Sequence, residues 1–409
     1  MNNKTIAILA TLDTKAPEAG FMKAEIESLG GKALLIDIGV VGDAGIEADV
    51  SRADVAQNGG VSMNELLVKP TREQSQPVMV KGAILALKEL LDAEKIHGAL
   101  ALGGTQGTSM NGEILQSLPY GFPKVLLSTA ASGDTSHFVG IKDITMMYSV
   151  SDILGLNVFS ERILANAAAC ALGMAQVERD VRKSKAKAVV GITNLGVLTQ
   201  GAMYAIELLE KEGYECITFH AISAGGDAME RMMEEGIITA VFDYAMGDIA
   251  DGVYGVLRSA SDTRLTTAGK LGIPQVLVPG GSEHLGILTD PNVTPAGYED
   301  HQDTWHSPVI YVPRVNEEEQ GKIAADIGRR LKHTRGNAVF LYPLKGVSRY
   351  SNVEIGEIPN AEMDAKYWEQ LQNALPATIK KEALDYNAED PEFVEHAVKT
   401  LIGLIENPN

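Results

Sequence analysis

Short apolar runs alternate with amphipathic segments along most of the chain. Residues 5–11 (TIAILAT) are apolar in the manner of a buried strand, and residues 17–31 (PEAGFMKAEIESLGG) carry apolar side chains at helical spacing before two glycines. A second apolar run, KALLIDIGV, follows at 32–40. Continuous apolar strands linked by amphipathic helices are typical of parallel sheets that are covered on both faces. The pattern therefore predicts an α/β fold.

The same order of elements returns in the second half. A strand-like run at 188–194 (AVVGITN), a helical pattern at 201–213 and a further strand at 214–222 repeat the first sequence of elements at similar lengths. We predict two tandem Rossmann-like domains with doubly wound parallel sheets, residues 1–182 and 183–409. The boundary is expected in the basic stretch near 179–187, and a cleft is expected between the domains.

The amino-acid composition disfavours some classes of binding partner. The 409 residues include 35 Lys and Arg against 54 Asp and Glu, a formal net charge of −19, which disfavours nucleic acid and anionic membranes as partners. The two cysteines provide no disulfide framework and suit a reducing compartment. No apolar run approaches the length that spans a bilayer, so the sequence predicts a cytoplasmic protein that acts on a small molecule.

The glycine-rich stretch Gly103-Gly104-Thr105-Gln106-Gly107-Thr108 carries the first candidate site. It lies where an apolar strand gives way to a helical pattern. Bare main-chain amides at a helix N-terminus bind phosphate well, and glycine lets the ligand approach closely. A tight turn with an ordinary Ser or Thr cap is the alternative. The stretch is not a Walker A loop, because no Gly-Lys pair in the chain precedes Ser or Thr.

A second cluster, Thr11, Asp13, Thr14 and Lys15, follows the first strand. Lys15 could neutralise a phosphate and Asp13 could hold Mg²⁺, while Thr14 and Glu18 could instead form a capping box. Arg52 follows the second strand and its loop. It is a candidate phosphate clamp, with a surface salt bridge as the alternative.

Ser128, a candidate contact of the nucleotide, begins a run of small hydroxyl residues after the fourth strand of the first half, at the same edge as the glycine loop. Within that run Asp134 and His137 lie three residues apart and could form an acid–base pair, or could simply be hydrogen-bonded loop residues. In the second half, the stretches 193–201 (TNLGVLTQG) and 279–286 (PGGSEHLG) follow strands in the same way and are expected to face the cleft.

Six of these stretches, ILATLDTK, GGTQGTSM, STAASGDT, NLGVLTQG, VPGGSEHL and LYPLKGVS, together resemble the Tm-type ATP-binding domain family. The resemblance extends over essentially the whole chain. It implies two Rossmann-like subdomains, ATP binding and a homodimer. By position, it places the nucleotide on Asp13, Thr14, Lys15 and the loop 103–108.

Three functions follow as hypotheses. The first is an ATP- and Mg²⁺-dependent enzyme that transfers a phosphoryl group to, or ligates, a metabolite in the cleft. Lys15 and Arg52 would stabilise phosphoryl charge, and Asp134 or His137 would act as the base. The others are a nucleotide-gated regulatory protein without catalysis and a two-lobed protein that binds a nucleotide sugar. Thermal-shift screening distinguishes them, because a ligand of the native state raises the melting temperature.

Overall fold

The computed structural model describes residues 4–181, 183–335 and 337–407, which fold as two compact units, 1–181 and 182–409. Unit 1 contains β1 (Thr5–Ala10), α1 (Ala16–Ser28), β2 (Lys32–Asp37), α2 (Arg52–Gly59), α3 (Met63–Val68), α4 (Arg72–Asp92), β3 (Gly98–Gly103), α5 (Thr105–Gln116), β4 (Lys124–Ser128), α6 (Ser136–Val139), β5 (Thr145–Tyr148) and α7 (Val158–Ala175).

Unit 2 contains β6 (Val189–Asn194), α8 (Thr199–Lys211), β7 (Glu215–His220), α9 (Ser223–Glu234), β8 (Ala240–Ala245), α10 (Gly247–Tyr254), α11 (Thr267–Leu271), β9 (Gln275–Gly280), β10 (Ile287–Leu288), β11 (Asp303–Ser307), β12 (Ile310–Pro313), α12 (Glu317–Leu331), β13 (Ala338–Pro343), α13 (Ala361–Ala374), β14 (Lys380–Leu384) and α14 (Pro391–Glu406). A short 3₁₀ turn, Gly196–Leu198, precedes α8.

Both main sheets are parallel, which confirms the predicted doubly wound α/β class. Unit 1 has the strand order β2-β1-β3-β4-β5, and unit 2 has β14-β13-β9-β8-β6-β7. Counted from the first strand of each unit, the two orders follow the same scheme, 2-1-3-4-5, with a sixth strand added in unit 2. A small antiparallel sheet, β10-β12-β11, is inserted into unit 2.

Alternating side chains of β1 show how the sheet of unit 1 is buried on both faces. Ile6 and Ile8 pack in one core with α1 and α7, while Ala7 and Leu9 pack in the other core with α2, α4 and α5. Each strand therefore needs apolar residues at every position, and this is the reason for the continuous apolar runs. The arrangement brings the carboxyl ends of β1, β2 and β3 to one edge.

Helix α7 is long and apolar enough to cross a membrane by length and composition. It nevertheless lies against α1, and Leu164, Ala168 and Leu172 are buried in the core of unit 1. One side of the helix thus packs in the core of unit 1, and 39% of the helix is buried. Asn157 begins the helix with a capping box.

Candidate functional site

A cavity of about 500 Å³ opens at the edge of unit 1 where the strand order reverses, between β1 and β3. Ligands of open parallel sheets bind in this crevice, beyond the carboxyl ends of the strands. Four segments line it: the turn after β1, the loop after β2, the start of α4 and the glycine-rich start of α5. The lining residues are Thr11, Asp13, Thr14, Lys15, Ile38, Gly39, Val40, Val41, Pro70, Arg72, Ser75, Gln76, Gly103, Gly104, Thr105, Gln106, Gly107 and Met110.

The three glycines of the loop have different roles. A Cβ on Gly103 would lie 2.7 Å from the carbonyl carbon of Gly107, so this position must be glycine for the strand to turn into the helix. A Cβ on Gly104 would meet nothing closer than the Thr129 hydroxyl at 3.9 Å, and one on Gly107 nothing closer than 3.8 Å. Gly104 has an ordinary extended backbone, φ −71°. Folding alone therefore does not require glycine at 104, which leaves bare main chain beside the cavity.

Three helices begin at this cavity, and none of them has a side-chain cap. The N-cap residues are Lys15 for α1, Thr71 for α4 and Gly104 for α5. The helices α2, α3 and α7, whose first turns do not line the cavity, each begin with a complete capping box, whereas the four-residue α6, also outside the lining, has none. The first-turn N–H groups of an uncapped helix keep their hydrogen-bonding capacity, and the helix dipole favours an anion there.

The charged and polar side chains of the lining favour the same kind of ligand. Lys15 donates from its ammonium group to the main-chain oxygen of Ile153, a neutral partner, and Arg72 is exposed at the start of α4. The hydroxyl of Ser75 is buried and has no hydrogen-bond partner among the described residues. An unpaired buried hydroxyl in a cavity wall points to a ligand or water that completes it.

Asp13 contributes the carboxylate of the cavity lining. Its Oδ2 accepts the main-chain N–H of Gly42 at 3.2 Å, while its buried Oδ1 has no hydrogen-bond partner within the described ranges. The loop that it contacts is held by Asp37, whose Oδ1 accepts the N–H groups of Leu12 at 3.0 Å and Gly39 at 2.8 Å. The turns after β1 and β2 are therefore fixed relative to each other.

Thr108 and Ser128 lie behind the glycine loop rather than in the cavity lining. Both are fully buried, and their hydroxyl oxygens are 2.6 Å apart. Thr108 also donates to the carbonyl oxygen of Gly103. These two residues were predicted to contact the nucleotide. In the structure their hydrogen bond connects the start of α5 to the end of β4.

Arg52 and the capping alternative for Thr14 have clear structural positions. The Arg52 guanidinium donates to the carbonyl oxygens of Val40 and Gly42 and lies 3.5 Å from Asp43, so it supports the loop after β2 from behind. Thr14 does not cap α1, since the N-cap is Lys15, and Glu18 accepts the N–H of Gly155 instead. The side chains at the start of α1 therefore do not form a capping box.

Asp134 and His137 are exposed on the loop around α6 and do not line the cavity. The main-chain N–H of Ser136 donates to Asp134 at 2.9 Å, which lowers the pKa of that carboxyl. A carboxylate held in this way is a poor proton acceptor. The structure thus gathers Thr11, Asp13, Thr14, Lys15 and the loop 103–107 and leaves the predicted acid–base pair apart from them.

Sequence reasoning missed the contribution of the loop 38–41 and the start of α4. The loop could have been found, because it follows β2 at the same edge of the sheet. Arg72 and Ser75 give no such signal, since α4 is preceded by another helix and not by a strand.

The protein is thus a two-unit α/β protein of parallel sheets, with an anion-favouring cavity at the switch point of its first sheet. It belongs to the uncharacterised protein family UPF0261. The N-terminal domain of that family matches residues 4–180, and the C-terminal domain matches residues 187–405.

Two bacterial relatives align over almost their whole length. A UPF0261 protein of Clostridium tetani is 38% identical over 99% of this chain and 100% of its own length. The UPF0261 protein RA0729 of Rhizobium meliloti is 31% identical over 97% of this chain and 98% of its own.

A plant protein is also related. The ToMV resistance protein Tm-1(GCR237) of Solanum lycopersicum is 30% identical over 80% of this chain, which corresponds to 44% of the plant protein. The predicted resemblance to the Tm-type family is confirmed to the extent that a Tm-1 protein is a relative, while ATP binding by this chain stays a prediction.

Proposed function

We propose that unit 1 binds ATP with Mg²⁺ in the cavity between β1 and β3, and that the bound nucleotide serves a phosphoryl-transfer or ligation reaction on a small metabolite. The observation that carries the proposal is the meeting of three uncapped helix N-termini at one cavity. A polyphosphate would supply the acceptor oxygens that these main-chain N–H groups lack.

Bare backbone at Gly104 and Gly107 supports close approach of that ligand. Their missing Cβ atoms point into open space, so a phosphate can lie against the peptide plane without a steric conflict. Lys15 and Arg72 add positive charge to the same wall, against the single lining carboxylate, Asp13. The local balance is opposite in sign to the strongly acidic chain, as expected for an anion site.

The residues present fit Mg²⁺ as a partner of the phosphates. Asp13 Oδ1 is a buried carboxylate oxygen without a hydrogen-bond partner in the described structure. No group of three or more His, Cys, Asp or Glu side chains forms a metal cage in the residues described. This suits Mg²⁺, which is commonly held by one or two carboxylates, phosphate oxygens and water. When bound it would offset the charge that develops on the phosphates.

Lys15 is the residue for which we propose direct stabilisation of phosphoryl charge. Lys15 lines the same cavity as the loop 103–107, and its ammonium group donates to the neutral carbonyl oxygen of Ile153, whereas Arg52 holds the loop after β2 and is not in the lining. Asp134 and His137 lie outside the cavity lining, so we assign neither of them as the base of the transfer step. A regulatory role, in which ATP is bound and not consumed, uses the same cavity and is separated from an enzyme by turnover alone. We also propose a cytoplasmic homodimer, on the strength of the family resemblance and the composition.

Calorimetric titration with ATP, ADP and AMP, with and without Mg²⁺, tests the binding proposal. We expect ATP to bind most tightly and Gly104→Val to weaken it at least tenfold, because the added side chain occupies the space of the phosphates. Gly173→Val is the matched control, since Gly173 lies on α7 with equally open space around its missing Cβ.

The Asp13→Asn variant tests the contribution of Mg²⁺ separately from that of the nucleotide. We expect this variant to lose most of the Mg²⁺-dependent gain in ATP affinity and to retain Mg²⁺-free binding. If ATP does not bind, or binds equally well to wild type and a folded Gly104→Val variant, the proposal is wrong. ADP release from ATP in the presence of a metabolite extract then distinguishes an enzyme from a regulatory protein.

A further inference from the structure

Unit 2 has a cavity of its own, of about 560 Å³, beside the carboxyl ends of β6 and β7. It is lined by Asn194, Leu195, Gly196, Val197, Thr199, His220, Ile222, Leu257, Arg258, His284, Gly286, His306, Ile310, Val312 and Tyr350. We propose that this cavity binds an uncharged, hydroxyl-bearing ring compound. The proposal is independent of the nucleotide proposed for unit 1.

Two hydrogen-bond acceptors lie at the strand ends, and a ligand with hydrogen-bond donors would satisfy them. The Thr199 hydroxyl donates to the carbonyl oxygen of Leu195 at 3.3 Å, so its oxygen accepts the side-chain amide of Asn194. This fixes the orientation of the amide and leaves Asn194 Oδ1 buried, with no partner in the described residues. An unpaired buried acceptor is costly unless a ligand or water supplies a donor.

His220 supplies the second acceptor. Its Nδ1 lies 3.0 Å from the main-chain oxygen of Asn194, an atom that can only accept, so Nδ1 carries the proton. In the neutral ring Nε2 then has the free lone pair. A hydroxyl-bearing ligand satisfies Asn194 Oδ1 and His220 Nε2 together, because each O–H can donate to one of them.

The charges around the cavity disfavour an anion. Arg258 is the lining residue with a fixed positive charge, and it is paired through Nε and Nη2 with both carboxylate oxygens of Asp251 at 2.8 Å. Glu283 is a second buried carboxylate next to this pair. Although burial acts to raise its pKa, His284, Ser348 and Arg314 lower it to about 2, so Glu283 stays ionised. Arg258 is thus paired with Asp251, and the ring of His284 lies 3.2 Å from Glu283, so both of these basic lining groups already have a carboxylate partner in the protein.

The remaining wall is apolar and suits a ring. Leu195, Val197, Ile222, Ile310 and Val312 line it. The rings of His284 and Tyr350 meet edge to face, with centroids 5.4 Å apart. Burial raises the pKa of Tyr350, so its phenol stays neutral. Apolar walls with a few oriented polar groups are typical of small-molecule sites of this volume.

Ligand-observed saturation-transfer NMR on the full chain provides the test, with phenyl β-glucoside and phenyl β-glucuronide as probes. The two probes share the same rings and differ in a hydroxymethyl group against a carboxylate. We expect the glucoside to bind, and the glucuronide to bind at least tenfold more weakly.

Variants locate the binding. Gly196→Leu should abolish it, because a Cβ on Gly196 points into open space beside the cavity. Gly403→Leu on α14, where the space is equally open, is the control and should bind normally. Asn194→Leu should weaken binding roughly five- to tenfold through loss of the acceptor.

Three results would overturn the proposal. They are failure of the glucoside to bind wild type, glucuronide binding as tight as glucoside binding, and unchanged glucoside binding in both Gly196→Leu and Asn194→Leu. Gly104→Val in unit 1 should leave glucoside binding unchanged, which keeps the two sites distinguishable.

Discussion

In unit 1 the third strand, β3, ends at Gly103 and leads through Gly104 into α5. In unit 2 the third strand, β8, ends at Ala245 and leads into α10 at Gly247. The topology at the two junctions is the same, and the surroundings are opposite. A Cβ on Gly104 would meet nothing within 3.8 Å, whereas one on Gly247 would lie 2.7 Å from Arg258, from the Gly281 carbonyl and from Leu195. Strand order fixes where a crevice can form, and side chains decide whether a helix N-terminus is open to it.

In unit 2 the junction between β8 and α10 is filled by buried charged side chains. The guanidinium of Arg264, fully buried, contacts Asp248 at 2.9 Å and Asp243 at 2.5 Å, with Glu230 at 3.7 Å. Burial raises the pKa of both Asp248 and Glu230, and the nearby Arg264 opposes that rise. The N-terminus of α10 thus faces internal carboxylates, while that of α5 faces a cavity. The comparison explains why we propose an anion at the α5 junction of unit 1 and none at the α10 junction of unit 2.

The largest expected effect comes from removing the cation that fills the junction of unit 2. Arg264→Met leaves Asp243 and Asp248 buried without their partner, and we expect a loss of roughly 3–5 kcal/mol of unfolding free energy. Hydrogen exchange of the full chain measures it separately in each unit. Peptides of β8 should lose protection, and peptides of β3 should not.

Arg231→Met is the control for that variant. Arg231 pairs with Glu234 and Glu235 on α9, where it is 40% exposed, so its loss should cost less than about 1 kcal/mol. Equal protection of β8 in wild type and Arg264→Met would mean that these buried charges do not organise the junction.

A smaller effect, and a pH-dependent one, is expected at Glu283 beside the unit 2 cavity. Its pKa in the folded protein is about 2, below the ordinary value of 4.5. A lowered pKa stabilises the fold above the unfolded-state value, and the contribution disappears as the pH falls from 4.5 to 2. The shift corresponds to about 3 kcal/mol at neutral pH.

Glu283→Gln removes the titrating group and retains an oxygen that can accept from Ser348. Exchange of β9 peptides should therefore be faster in the variant than in wild type at pH 7. The difference should shrink as the pH drops below 4.5. A difference that is constant with pH would show that the effect arises from packing and not from charge.

The sheets were predictable because their strands are buried on both faces, which forces continuous apolar runs in the sequence. Two of the four edge strands of the two main sheets were harder, although the other two, β2 and β7, stand out as apolar runs. β5 (TMMY) and β14 (KKEAL) are short or polar, since an edge strand has neighbours on one side only, and neither stands out from a loop. The antiparallel insertion β10-β12-β11 breaks the alternation of strand and helix and gave no comparable signal.

Ligands of parallel sheets bind beyond the carboxyl ends of the strands, and this rule located about half of the segments that line the unit 1 cavity. It placed Asp13, Lys15 and the glycine loop together because they follow β1 and β3 at one edge. It could not separate hydroxyls that face a ligand from hydroxyls that bond inside the protein: Thr108 and Ser128 bond to each other. It also could not find Ser75, because the start of α4 reaches the cavity through tertiary packing and not through the order of strands.

The smallest expected effect compares the two junction glycines directly, by alanine substitution at each. Gly247→Ala should destabilise unit 2 by roughly 1–3 kcal/mol, because its methyl group meets backbone and buried side chains at 2.7 Å. Gly104→Ala should change the stability of unit 1 by less than about 1 kcal/mol, because the preference for glycine over alanine at an N-cap is small and a second effect opposes it. The backbone at 104 suits any residue, and alanine lowers the entropy of the unfolded chain. Hydrogen exchange of β8 and β3 peptides reads both effects in the full chain. Should the two substitutions cost the same, the junctions would be equally packed, and the open start of α5 could no longer be ascribed to a ligand.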